Sequence, residues 1–175
     1  MELRDLDLAA LDKERICCFT GHRTLGADFK PKLAYSLMEY LVDFRNIDTF
    51  ICGGALGYDV EMGYLVLKLK QTRPKVKLWM FLPCTDQSAR WSYSDKKRYE
   101  ELLSRADLID CPPTTYNNTV MRTRNYKMVD YSRHCLTYFN GKQISGTAQT
   151  VRYAKRKGLL IYNLAPDGKR IIDEL

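Results

Sequence analysis

Histidine is scarce in this 175-residue chain, where only His22 and His134 occur. Neither lies near cysteines at zinc-ligand spacing, and there is no CxxC pair, so a structural or catalytic metal is not expected. No stretch approaches the roughly 18–20 apolar residues that span a bilayer. The opening MELRDLDLAALDKER is charged throughout and has no apolar core before a small-residue cleavage site, which argues against a secretory signal. Together these absences predict a cytoplasmic protein with no membrane partner. Linkers, internal repeats and low-complexity tracts are missing too. With 45% hydrophobic residues, the chain is long enough for one full core and too short for two, so residues 1–175 are expected to form one domain.

Among what is present, Cys17, Cys18, Cys52, Cys111 and Cys135 sit in short apolar runs and read as reduced core cysteines. The formal charge of +7 favours anionic partners. Part of that excess, Arg152, Lys155, Arg156 and Lys157, falls at the end of a helical segment, where cations complement the helix dipole.

Apolar runs rich in β-branched and aromatic residues predict strands near 15–20, 49–53, 76–82, 107–111, 134–139 and 159–164. Five helical patterns alternate with them. Leu33, Leu37, Leu41 and Phe44 form one stripe expected to face the sheet; Met62, Leu65, Val66 and Leu69 form a second; Tyr99, Leu102, Leu103 and Ala106 form a third. The fourth helix, about 119–132, is unusually polar, with only Met121, Met128 and Val129 as its stripe. The fifth follows Ser145-Gly146-Thr147 and stops at Gly158, a residue suited to a left-handed cap. Strict alternation of this kind predicts an α/β fold: a Rossmann-like, open, mainly parallel sheet with helices on both faces.

Ligands of such sheets bind outside the carboxyl ends of the strands. Four segments should converge there: Thr20-Gly21-His22-Arg23, Gly53-Gly54-Ala55-Leu56-Gly57-Tyr58-Asp59, residues 122–130 with Arg124 and Asn125, and Gly146-Thr147 after Ser145. Glycines let an anion approach backbone amides, and Arg23 and Arg124 offer forked donors for phosphate. Asp59, in a first helical turn, is read either as a cap or as a partner for a sugar hydroxyl. GGxxG lacks both the Lys-Ser/Thr of a P-loop and the spacing of GxGxxG. Ser145 has no histidine at a recognisable spacing, and no catalytic set can be assembled from residue types. The reading thus calls for no cofactor and no metal.

These motifs, in this order, resemble the SLOG superfamily, which joins the DNA-processing protein DprA and the Lonely-guy phosphoribohydrolases in one Rossmann-like fold. The match is closest to the YpsA-like family. It rests on CCFTGHR at 17–23, GGALGYDVEMG at 53–63, Gln87 with Arg90-Trp91, RNYKMVDYS at 124–132 and SGTAQTVRYA at 145–154. The resemblance implies binding of nucleotides, nucleotide-derived signals or nucleic acid, with TGHR and GGALGYD cradling the ligand, Arg124-Asn125 as the superfamily RN motif and Gly146-Thr147 as its GT turn. Phosphoribohydrolases resemble PGGxGTxxE at that last turn. Here Ser145-Gly146-Thr147-Ala148-Gln149-Thr150 contains no acid, so hydrolysis by that route lacks its glutamate.

Three functions follow. The leading one is binding or sensing of a nucleotide-like small molecule. An enzyme acting on a nucleoside monophosphate would need Asp59, Glu61 or Asp130 in place of the missing acid. Single-stranded nucleic-acid binding would use the basic charge, with Trp91, Tyr93 and Tyr116 as stacking surfaces. A homo-oligomer is compatible with each.

Overall fold

The computed structural model describes residues 10–175. Strands β1 (Ile16–Gly21), β2 (Thr49–Cys52), β3 (Lys77–Phe81), β4 (Leu108–Asp110), β5 (His134–Tyr138) and β6 (Leu160–Asn163) form one all-parallel sheet in the order β4-β3-β2-β1-β5-β6. Helices α1 (Pro31–Arg45), α2 (Tyr58–Thr72), α3 (Tyr93–Ser104), α4 (Val120–Asp130) and α5 (Gly146–Arg156) connect them in turn. All six strands and these five helices lie where the pattern places them. A sixth helix, α6 (Gly168–Asp173), follows β6 and has no counterpart in the sequence pattern, since GKRIID is too short to show a helical period.

Central strands of a parallel sheet are covered on both faces, hence their uninterrupted apolar runs. The register makes this concrete. Leu108, Trp79, Ile51, Cys18, Cys135 and Ile161 form a single row across all six strands, and Met128 and Val129 of α4 and Ala154 of α5 pack over it. On the opposite face Phe19 and Phe50 stack with ring centroids 5.6 Å apart, beneath α1, α2 and α3. Burying each such large side chain contributes about 1.5–3 kcal/mol.

Three expectations are corrected. Helix α1 turns Ala34, Met38 and Leu41 to the core, leaving Leu33 54% and Phe44 74% exposed. Two apolar stripes share this helix and meet at Leu41, and the one through Ala34 and Met38 is the one that packs into the core. Cys111 is exposed rather than buried, because it follows the short edge strand β4, where the cover ends. In α4 the buried residues are Val120, Met128, Val129 and also Arg124, while Met121 is only half-buried.

Candidate functional site

The chain winds outward from β1 in both directions, so the loops after β1 and β5 diverge to opposite faces and open a crevice at their carboxyl ends. A hollow of about 320 Å³ occupies it. Thr20, Gly21, His22 and Arg23 supply one wall; Ala55 and Asp59 lie on the α2 side; Asn125 and Arg124 of α4 and Ser145, Gly146 and Thr147 of α5 complete it. The four predicted segments therefore do converge. Of the stretch 122–130 only Arg124 and Asn125 reach the hollow, joined by Met121 just before it.

Gly53, Gly54 and Gly57 are not among the residues that line the hollow, and packing within the protein alone requires them to be bare. A Cβ at Gly53 would collide with the Arg124 guanidinium, and one at Gly57 with the Arg23 carbonyl oxygen. Their bareness lets protein pack on protein. Gly21 likewise leaves room for the Tyr58 ring, whose hydroxyl donates to the Leu136 carbonyl at 3.1 Å. Gly146 is different, because a Cβ there would meet nothing within 4 Å. It opens α5, where helix geometry leaves the first amides without intrahelical acceptors and the dipole favours an anion. Ser145 caps this turn by accepting from the Ala148 amide at 3.0 Å.

Arg124 is the largest departure from expectation. Rather than facing solvent, it is 4% exposed. Nη1 donates to the carbonyls of Gly53 and of Phe81, the latter at 3.2 Å, and Nε donates to Asn125 Oδ1 at 2.7 Å. Asn125 Nδ2 passes the chain to Thr150 Oγ1 at 3.1 Å, and that hydroxyl donates to the Gly146 carbonyl at 2.8 Å. The RN pair thus ties the ends of β2 and β3 to the first turn of α5. Asp59 is buried beside it and accepts from the Ala55 amide at 3.4 Å. Burial raises the Asp59 pKa above the usual carboxylate range, with the Arg124 charge opposing the rise.

His22 Nε2 accepts from the Asn140 amide at 3.3 Å, which leaves its proton on Nδ1. Burial lowers its pKa, so the imidazole is neutral near pH 7. Arg23 is exposed and has no ion-pair partner among the described residues.

A second hollow of about 370 Å³ adjoins the first, with Arg23, Ala55 and Met121 lining both. Its further wall comes from the β3–α3 loop through Gln87, Arg90 and Trp91, and from Tyr116. Gln87 anchors that loop by donating from Nε2 to the Gly54 carbonyl at 2.9 Å. Gln87 and Arg90 are missing from the predicted site, although their placing with Trp91 in a long loop is a signal that could have added them, while Trp91 and Tyr116 are expected only as stacking surfaces for nucleic acid. The other two candidate acids lie elsewhere: Glu61 pairs with Arg98 at 2.7 Å, and Asp130 pairs with Lys157 at 2.9 Å. Among the described residues no cluster of potential metal ligands forms, and no helix is long and apolar enough to cross a membrane.

Comparison with known proteins agrees with this architecture. The chain is 31% identical over 152 residues to the uncharacterized SPbeta prophage-derived protein YoqJ of Bacillus subtilis, covering 79% of this chain and 88% of that protein. It is 26% identical over 139 residues to UPF0398 protein BH1768 of Halalkalibacterium halodurans, covering 78% and 73% respectively. The fold matches DNA processing protein A from Helicobacter pylori, a structure described for its single-stranded DNA binding mode, with TM-score 0.69 at 20% identity over 97% of this chain and 75% of that one. A family model, YpsA, described as the YspA SLOG family, matches residues 14–167. With that match spanning every strand from β1 to β6, the chain belongs to the YpsA family of SLOG proteins.

Proposed function

We propose that the crevice binds a nucleotide-like, phosphate-bearing molecule. Its phosphate would lie between Arg23 and the first turn of α5, and its base in the neighbouring hollow beside Trp91 and Tyr116. The observation that carries this reading is Arg23, a cation with no ion-pair partner among the described residues, lining both hollows at once. A guanidinium with no ion-pair partner among the described residues, lining the same hollow as a helix N-terminus, is well matched to an anion. Each hollow is within the size range of small-molecule sites. Asp59 is the sole carboxylate lining the first hollow, so it is the residue to test if a reaction accompanies binding.

A thermal-shift screen against nucleotides and dinucleotides tests the proposal. A ligand at about 100 times its Kd adds about 2.7 kcal/mol, which should raise Tm by roughly 5–10 °C. Arg23→Ala should weaken binding about 10–100-fold at unchanged Tm without ligand. No shift with any nucleotide, or equal affinity in Arg23→Ala, would refute it.

Single-stranded nucleic acid is a second reading, favoured by one feature. A third, shallower hollow of about 640 Å³ shares Ser145 and Gly146 with the first and adds Tyr126, Arg152 and Arg156, so three hollows run on from one another. Labelled single-stranded DNA should then bind with a steep salt dependence between about 50 and 200 mM, whereas a mononucleotide shows a shallow one. Absence of DNA binding at the low-salt end removes this reading.

A further inference from the structure

The stripe that α1 turns away from the core is apolar over three turns. Leu33 is 54%, Tyr40 46% and Phe44 74% exposed, with Leu37 half-buried between them. The Tyr40 and Phe44 rings stack on one another at 5.4 Å. The surface continues onto the sheet. β6 is an edge strand, and its Tyr162 packs on the α1 side of the sheet, so strand alternation puts Leu160, 41% exposed, on that side as well. The carboxylates flanking the stripe are already engaged: Asp43 and Glu39 hold Arg73 at 2.7 and 3.1 Å. Among the described residues of α1 no unpaired acid interrupts it.

We propose that this face is the contact between two copies of the chain, packed α1 against α1 about a two-fold axis. Two features of the face select a second copy over an unrelated partner. The spacing of 33, 37, 40 and 44 is four, three, four, the same read in either direction. An antiparallel partner helix therefore places Leu33 opposite Phe44 and Leu37 opposite Tyr40, a leucine against an aromatic at every level, as a self-complementary interface requires. The area also fits. Side chains of this size carry about 150–250 Å² each, so at their measured exposures the face offers roughly 400–500 Å² of apolar surface. A standard interface buries about 800 Å² per partner, roughly 65% of it apolar in homodimers, or roughly 500 Å².

Sedimentation velocity on the full chain, from low to high micromolar concentration, should show a reversible dimer. Phe44→Glu should weaken self-association about 100-fold or more, because a two-fold axis introduces each substitution twice and each glutamate would be taken out of water against the partner's leucine with no charge to pair it. Leu33→Glu, on a different turn, should act alike. Both variants should keep the wild-type Tm when compared as monomers, because these side chains are mostly solvated. A monomer at every concentration overturns the proposal, as does a dimer that both substitutions leave intact.

Discussion

Removing the Arg124 side chain should unfold the protein more readily, and the size of the effect can be worked from its contacts. Arg124→Ala deletes donors to two buried carbonyls, Gly53 and Phe81, and to Asn125. It also leaves the buried Asp59 carboxylate without its nearby opposite charge. Breaking a buried charge arrangement by removing one member costs about 3–5 kcal/mol. For a chain of this length that lowers Tm by roughly 6–20 °C. The deficit should depend on pH. Asp59 has a folded pKa raised by burial, and loss of Arg124 raises it further, so between the ordinary carboxylate value and the folded one the native state binds more protons than the unfolded state. Stability of the variant therefore falls as pH rises through that window and recovers as pH is lowered. Differential scanning calorimetry of wild type and variant from pH 7 to about 5 reads this directly. Adding Asp59→Asn to the variant should restore part of the loss at pH 7 and flatten the pH dependence. An Arg124→Ala protein with wild-type Tm would refute a structural role for this arginine and return it to the residues that grip the ligand.

Other consequences are equally accessible. Gly146→Ala should leave Tm unchanged or slightly higher, since nothing occupies the Cβ position, yet weaken binding of a phosphate-bearing ligand in an equilibrium titration. Gly57→Ala should cost at least about 1–3 kcal/mol, as its φ of 83° and the Arg23 carbonyl both exclude a side chain; a chemical denaturation series measures it. His22 and His134 are both held neutral by burial, with folded pKa values below the unfolded one, so their contribution is present above about pH 6.5 and lost as pH falls through the folded values. His22→Gln, which can still accept from the Asn140 amide, should blunt that acid sensitivity in a Tm-against-pH profile. Of the six cysteines, Cys111 alone should react quickly with a thiol reagent in the native protein, and all six in denaturant, counted by mass spectrometry.

The central strands were legible because they are buried on both faces and so read as continuous apolar runs between turns, and the less covered edge strands β4 and β6 because their short apolar runs still alternate with helical patterns. The cleft was legible because an α/β winding dictates where loops meet. Less accessible was which of two apolar stripes on α1 faces inward: Ala34 and Met38 look weaker than Leu33 and Phe44, and the choice is made by packing against segments distant in sequence, not by hydrophobicity. Arg124 defies its sequence context for a related reason. An arginine in a polar helix normally points to water, and only the bare backbone at Gly53, more than seventy positions earlier, makes room for it inside. The purpose of the glycines follows the same course. Their types and spacing mark the site, while the atoms that fill the space beside them come from segments remote in sequence.

The Arg124–Asn125–Thr150–Gly146 chain of hydrogen bonds bears on how the cleft comes into being. Its members, with the carbonyls of Gly53 and Phe81, are drawn from the turn after β2 and from β3, α4 and α5, so the cleft has no local precursor. No fragment that stops short of α5 contains it. Contacts closing such long loops are slow to form because closure entropy opposes them before they reward it, and an element that requires the sheet to be wound outward from β1 on both sides is complete only in the finished molecule. A ligand held there recognises the native state and nothing before it. Its binding should appear as slower global unfolding rather than as protection of one segment, and occupancy of the cleft becomes a test of whether a given copy of the chain has completed its fold.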